Sequence, residues 1–333
     1  MKTPTRSRKS VHQKLSHLKR GKFINPFSGF EDKTLKDFVR WYYKERGTYS
    51  KERRNRYKAI ETYPNDGVLL RENKKKFSVT WVAHSTVLVQ MNGMNILTDP
   101  IWSGRSSPVQ FAGPKRYTLP AIEIKSLPLI HAVVISHDHY DHLDEKSILQ
   151  LGNTPKYFVP LKVGRILKKM GITNYIELDW NEQYLYNGIN FICTPAQHFS
   201  GRGLFDRYKT LWAGWALKSV RKESFYYPGD TGYFNEFTEI GDDYGPFDVV
   251  AAPIGAYKPE WFMRPVHMSP GEALMAFDRV KGKIFIPIHY GSFPLADDTP
   301  ELAINDLKEA IKLQDINPKS VQILAPGKTL WIS

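Results

Sequence analysis

The stretch SHDHYDHLD, Ser136–Asp144, constrains this chain more than any other. Three histidines and three aspartates fall within nine residues, directly after the apolar run HAVVI. A short apolar run of this kind reads as a buried strand, so the ionisable side chains crowd the loop where a strand ends. Four of them are candidate metal ligands: His137, His139, Asp141 and His142. His137 and His139 are two residues apart and point the same way in extended backbone, so both can reach one ion. Asp141 and His142 lie further along the loop and are placed for a second. Imidazole with carboxylate suits zinc, with iron or manganese as alternatives. The competing reading is a hydrophilic surface loop that happens to be rich in histidine.

Three further apolar stretches end in a metal-competent residue: NFICTPAQH at His198, SFYYPGD at Asp230 and KIFIPIH at His289. Ligating groups directly after apolar strands are the pattern of a site at the carboxyl edge of a sheet. The expected arrangement puts His137, His139 and His198 on a first ion and Asp141, His142 and His289 on a second. Asp230 bridges them through its two carboxylate oxygens. A purely structural zinc would be closed by four protein ligands. Seven ligands on two ions instead leave positions for a bridging hydroxide and a substrate. A non-catalytic descendant would have lost ligands, and all seven are present.

The rest of the chain bounds that reading. At 333 residues, 41% apolar and 13% aromatic, it is long enough for a substantial core. Its apolar runs are too short to span a bilayer. A single cysteine, Cys193, excludes an internal disulfide and fits a reducing compartment. The expected location is therefore cytoplasmic, with peripheral contact at a membrane surface. The net charge of +13 is uneven: residues 1–76 hold 22 Lys/Arg against 8 Asp/Glu, whereas residues 77–333 hold 25 against 26. A basic quarter of this kind can meet an anionic membrane or a nucleic acid, or can simply be a solvated arm.

Three regions are expected: a basic, loosely ordered arm over 1–24, an extension over 25–76 and a catalytic domain over 77–333. Residues 31–46 carry Leu35, Phe38, Val39 and Tyr42 at helical spacing, which predicts an amphipathic helix. From residue 77 the pattern predicts strands, with Asn92-Gly93 as a hairpin signal. Further strands are expected at HAVVIS, KYFVP, NFICTPA, LWAGWALKS, SFYYPGD, VVAAPI, KIFIPIH and VQILAP. Helices are expected at SILQLG, VGRILKKMG, HMSPGEALMAFDRV and PELAINDLKEAIKLQ. This order describes an α/β (α+β) chain with two mixed sheets packed together and helices outside.

The motif SHDHYDHLD with His198, Asp230 and His289 resembles the metallo-β-lactamase superfamily, in its binuclear hydrolase branch. That resemblance implies a four-layer αββα sandwich. A narrower set of stretches resembles the N-acyl-phosphatidylethanolamine-hydrolysing phospholipases D and their bacterial relatives: HSTVLVQMNGMNILTDPIWS, SPVQFAGPKRY, GDTGY and WFMRPVHMSPGEA. It covers about residues 25–333. What it implies is a phosphodiesterase of the phospholipase D type, with attack on phosphorus by a metal-bridging hydroxide. The substrate would be N-acyl-phosphatidylethanolamine or a related phospholipid, and a homodimer is permitted. A metal-dependent nuclease and a small-ester or lactone hydrolase of the same fold are the alternatives. Nucleic acid is the less expected partner, since no nuclease-specific domain is recognisable.

Phosphodiester hydrolysis needs an activated nucleophile, neutralisation of phosphoryl charge and a proton for the leaving oxygen. Two ions would supply the first two, with Asp141 also orienting the nucleophile. His267, just before the helix start Ser269-Pro270-Gly271-Glu272, is the candidate acid. By resemblance Asp99 accepts from the free nitrogen of a ligand histidine; a turn aspartate before Pro100 is its other use. His84 lines the site or is a packed core histidine. Lys115 and Arg116 are candidates for phosphate contact. Trp261, with other loop aromatics, is a candidate for acyl-chain contact or for plain loop anchoring.

Overall fold

The computed structural model describes residues 5–6, 17–45, 57–203 and 205–332. Its first strands are β1 (Thr5–Arg6), β2 (Leu18–Lys19) and β3 (Lys22–Phe23). Then come β4 (Phe77–Ala83), β5 (Thr86–Met91), β6 (Met94–Thr98), β7 (Ala132–Val134), β8 (Lys156–Pro160) and β9 (Tyr175–Leu178). The second half of the chain adds β10 (Glu182–Tyr186), β11 (Ile189–Thr194), β12 (Gly214–Ser219), β13 (Ser224–Tyr227), β14 (Phe247–Pro253), β15 (Gly282–Ile288) and β16 (Thr329–Ile332). Asn92 and Gly93 take the left-handed backbone of a two-residue hairpin, with φ of 49° and 73°, and join β5 to β6.

These strands form two seven-stranded mixed sheets, ordered β16-β4-β5-β6-β7-β8-β9 and β1-β10-β11-β12-β13-β14-β15. In the first, β6 to β9 run parallel. In the second, β13 to β15 do. The sheets meet face to face over one large apolar core that includes Trp81, Phe158, Phe191 and Trp215. The Trp215 indole donates across the interface to the Ile135 carbonyl at 2.8 Å. Because both faces of the central strands are covered, β4, β5 and β13 are buried along their whole length.

Helices cover the outer faces. The first described helix, α1 (Leu35–Arg40), belongs to the extension, as does α2 (Val68–Glu72). On the outer face of the first sheet, α3 (Glu145–Leu151) and α4 (Gly164–Lys169) enclose a second core with Tyr157 and Val159. Against the second sheet's core pack α5 (Phe237–Tyr244), α7 (Pro270–Arg279) and α8 (Pro300–Leu313), while α6 (Glu260–Met263), between α5 and α7, packs in a small cluster with Trp41. Helix α7 starts with a reciprocal cap between Ser269 and Glu272 and a proline at its first turn, as its sequence signature implies. No helix among the described residues is long and apolar enough to cross a membrane.

Several sequence expectations need correcting. VQILAP is not a sheet strand; only Val321 bridges, to Phe285, and the edge strand is β16, eight residues on. The helix expected over 31–46 is α-helical only from Leu35 to Arg40, where the Thr34–Asp37 cap begins it, and continues as a π-helical turn over Trp41–Glu45. Among its described side chains the buried one is Trp41, while Phe38, Val39 and Tyr42 are each about half exposed. The reason is a local anchor: the Trp41 ring stacks on Phe262 at 5.2 Å and its indole donates to Asp297 at 2.8 Å. Of the arm expected over 1–24, residues 1–4 and 7–16 lie outside the described residues. The part from His17 is not loose: β2 pairs with β3, Phe23 is buried, and His17 contacts Asp179 at 2.9 Å beneath Trp180. Residues 46–56 of the expected connection over 47–76 and of the helix end also lie outside the described residues.

Candidate metal centre

Six strands of the two sheets end at one place, and each delivers a polar side chain there. After β7 come His137, His139, Asp141 and His142; after β11, His198; after β13, Asp230; after β15, His289. Two more arrive from β4 and β6, namely His84 and Asp99. The backbone there is unusual: His84, Asp99 and His289 have φ of 53°, 32° and 61°, left-handed values that residues with a Cβ seldom adopt. Gly229 turns the chain into Asp230 with a φ of 66°, where a Cβ would collide with the Ala213 carbonyl and with Ser136.

The expected ligands come together in two groups. His137 Nε2 is 2.8 Å from His139 Nδ1, which is 3.3 Å from His198 Nε2. In the other group His142 Nε2 stands 3.2 Å from Asp141 Oδ2, 3.1 Å from Asp230 Oδ2 and 3.3 Å from His289 Nε2. His289 Nε2 is 3.5 Å from Asp141 Oδ2 and 3.1 Å from Asp230 Oδ2. Donors around a four-coordinate ion with bonds near 2.0–2.2 Å stand about 3.3–3.6 Å apart. These buried spacings are close to that, so the residues fit a divalent ion. Asp230 is 4% exposed, and its Oδ1 is buried with no hydrogen-bond partner among the described residues, which keeps a second oxygen available.

The expected ligands are held from behind. The Asp99 carboxylate accepts from His142 Nδ1 at 2.6 Å, Ser136 N at 2.7 Å, and the hydroxyls of Ser136 and Tyr227 at 2.5 Å each. The Ser136 hydroxyl in turn lies 2.9 Å from His137 Nδ1. Since that hydroxyl donates to Asp99, it accepts from His137. Asp99 thus orients one expected ligand of each group, His142 directly and His137 through Ser136. His198 Nδ1 donates to the Val266 carbonyl at 2.9 Å, which points Nε2 at the centre. Tyr227 stays protonated, because burial and the nearby carboxylates push its hydroxyl well above the ordinary tyrosine range.

Electrostatics separate the two groups. Burial is the main influence on His137, His139 and His198 and lowers all three, those of His137 and His198 well below the usual imidazole range. In the other group Asp230 and Asp141 overcome burial: His142 is raised well above the usual range and His289 to about 9. Both carboxylates fall well below theirs despite burial, held down by His142 and His289. Burial pushes His84 down to about 3.

His267 joins this cluster from the segment after α6. Its ring is 5.2 Å from that of His198 and 5.7 Å from that of His289, and its Nδ1 is 3.9 Å from Asp230 Oδ2. Burial lowers it to about 4, so the ring is neutral near pH 7. Its segment is tied to GDTGY: Met268 N donates to the Thr231 carbonyl at 2.9 Å, and a Cβ on Gly232 would lie 2.5 Å from the Pro265 carbonyl. Trp261 lies half-buried beside Phe262 with Arg40 over its face at 4.5 Å, in the wall made by α1 and α6.

Arg116 is a correction. It is 6% exposed, and its Nε, Nη1 and Nη2 donate to the carbonyls of Ser103, Thr118 and Ile101. The guanidinium fastens the 101–118 loop and has no face left for phosphate; burial lowers its pKa to about 10. Lys115 is exposed on that loop. Residue-by-residue reading missed Tyr227, Ser136 and the clamp around Asp138. Asp138 accepts from Gly201 N and from the Thr210 hydroxyl, both at 2.8 Å, and Arg202 donates to the Asp138 and Leu143 carbonyls. The available signal was position: Ser136 and Asp138 flank a ligand, and Tyr227 ends an apolar strand three residues before Asp230.

A family model described as a beta-lactamase superfamily domain matches residues 94–290. The chain is 42% identical over 250 residues to N-acyl-phosphatidylethanolamine-hydrolyzing phospholipase D 1 of Caenorhabditis elegans, covering 71% of this chain and 70% of that one. It is 33% identical over 227 residues to the mitochondrial N-acyl-phosphatidylethanolamine-hydrolyzing phospholipase D of Saccharomyces cerevisiae, covering 66% of this chain but only 48% of the yeast protein. Among solved structures, Igni18, a metallo hydrolase from Ignicoccus hospitalis, superposes with a TM-score of 0.58 at 23% identity, covering 78% of this chain and 99% of that one. That likeness concerns the fold.

Proposed function

The chain belongs to the beta-lactamase superfamily of metal-dependent hydrolases, and from that premise we propose that it is a two-ion phosphodiesterase acting on N-acyl-phosphatidylethanolamine or a related phospholipid in the phospholipase D sense. The observation that carries this reading is the convergence of two donor groups around one shared carboxylate, Asp230. His137, His139 and His198 would hold one ion and Asp141, His142 and His289 the other. When bound, two such ions, zinc by the donor set, acidify water and neutralise phosphoryl charge.

The chain's own residues do the rest. Asp141 has one oxygen toward His142 and His289 and is placed to orient a nucleophile. His267 stands beside His198 of one group and His289 of the other and is the donor for the leaving oxygen. Neutral in the free protein, it still carries one N–H, and an arriving diester monoanion raises its affinity for a second proton. The products would be an N-acylethanolamine and phosphatidic acid.

Two features support a lipid over a soluble diester. The relatives that share 42% and 33% of their aligned residues are named for this lipid. Stacked through Trp41 on α6, whose Met263 carbonyl accepts from His267 N, α1 and its π-helical turn expose Phe38, Val39, Tyr42 and Tyr43 within the basic extension. An apolar face flanked by positive charge suits peripheral contact with an anionic bilayer.

The test is metal analysis with a substrate panel: N-acyl-phosphatidylethanolamine, an aryl phosphodiester and RNA. Two ions per chain with N-acylethanolamine release is the expected result. Turnover of the aryl diester alone would remove the lipid and keep the chemistry, and RNA cleavage would make the chain a nuclease. Absence of bound metal under replete conditions would take down the centre itself.

A further inference from the structure

His84 has no task in the chemistry above, yet the fold goes to some length to place it. It follows β4, whose pairing with β5 slips between Trp81 and Ala83. Its left-handed backbone is held by two donors on its carbonyl, the Trp81 indole at 2.7 Å and the His289 N–H at 3.1 Å. The ring is 1% exposed, wedged between the His289 ring at 4.2 Å and the edge of Phe293 at 5.1 Å. Its one polar contact is Nε2 to Asp141 Oδ2 at 3.1 Å, while Nδ1 is buried with no partner among the described residues. That same oxygen of Asp141 faces His142 and His289.

An ionised carboxylate only accepts hydrogen bonds, so the contact places the ring proton on Nε2 and the lone pair on Nδ1. His84 Nε2 lies in one group with Asp141, His142 and His289, but those three and the shared Asp230 already supply four donors to an ion, which leaves Nε2 to donate to one of them. We propose that His84 is a positioning residue: its Nε2–H holds Asp141 in the orientation that the second ion requires, as Asp99 holds His142. This rests on the two-ion reading above.

The experiment measures zinc affinities by chelator competition on the full chain, wild type against His84→Phe and His84→Gln. Phe keeps the ring volume without the donor; the Gln amide reaches about as far as Nε2 and can donate. Removing a partner that orients a ligand lowers metal affinity by about 10–100-fold. The expected result for H84F is that loss at one of the two sites with the other unchanged, and partial recovery in H84Q. An unchanged second affinity also reports that the variant folds. Should H84F fail to fold, His84→Asn replaces it; Asn tolerates the left-handed backbone, but its amide stops short of Asp141, so the same loss is expected. Two wild-type affinities in the variant lacking the donor would overturn the proposal and leave the centre standing. Complete loss of the second ion without recovery in H84Q would make His84 a ligand and overturn the positioning role. Fewer than two ions in the wild type would overturn both readings.

Discussion

The two halves of the centre are built from the same kinds of side chain and are prepared for a metal in opposite ways. His137, His139 and His198 face one another, and burial outweighs the carboxylates near them and keeps them neutral, with lone pairs ready. His142 and His289 face Asp141 and Asp230, and in the metal-free protein those carboxylates hold protons on the imidazoles. On the two-ion reading, a metal bound in the second half would replace those protons. The difference shows that a histidine's residue type does not settle its charge; the carboxylates around it do.

The largest effect should come from removing what the halves share. Asp230→Asn deletes the charge that both groups use, so metal content should fall below two per chain and turnover by on the order of a thousandfold. Wild-type metal content in that variant would break the idea of a shared ligand. His267→Gln should behave differently: kcat should fall by about 10²–10⁴-fold, with metal content as in the wild type.

Titration of the metal-free protein tests the contrast directly. His289 has a folded pKa raised to about 9, so its contribution to stability is complete below the unfolded value near 6.5 and is lost as pH rises through about 9. His84 and His267, lowered to about 3 and about 4, act in the other direction: their contribution is present above 6.5 and is lost as pH falls. Metal-free stability should therefore peak near pH 6.5, each group contributing a slope of at most about 1.4 kcal/mol per pH unit. Zinc should flatten the alkaline side, and calorimetry in buffers of different ionisation enthalpy should find proton release mainly with one of the two equivalents. Equal proton release by both equivalents would erase the distinction.

The smallest expected effect is at the hub. Tyr227→Phe removes one of four donors to Asp99 and should cost about 1 kcal/mol of stability. It should weaken the second half, where Asp99 bonds His142 directly, more than the first, which it reaches through Ser136. Chelator competition separates the two.

Much of the fold was legible because its signals are local. Asn92-Gly93 forms its hairpin, Ser269-Pro270-Gly271-Glu272 caps its helix, and apolar runs became buried strands. The errors occurred where a partner outside the local sequence pattern decides. VQILAP has the composition of a strand, but β16 takes the edge beside β4. Phe38 and Val39 have helical spacing, but Trp41 makes the contact, because Phe262 and Asp297 lie opposite it. Arg116 has the chemistry to bind phosphate, but three carbonyls of its own loop region take its donors.

By itself the sequence determined which side chains gather at the centre, since an apolar strand followed directly by a ligand carries its own address: the end of the strand. Tertiary structure alone decided which imidazoles carry protons, how Asp99 serves both halves, and why His84 and His289 take left-handed backbone. Each of these depends on groups brought within about 3 Å of one another from strands far apart in the chain, and electrostatic and hydrogen-bond energies are set at that range.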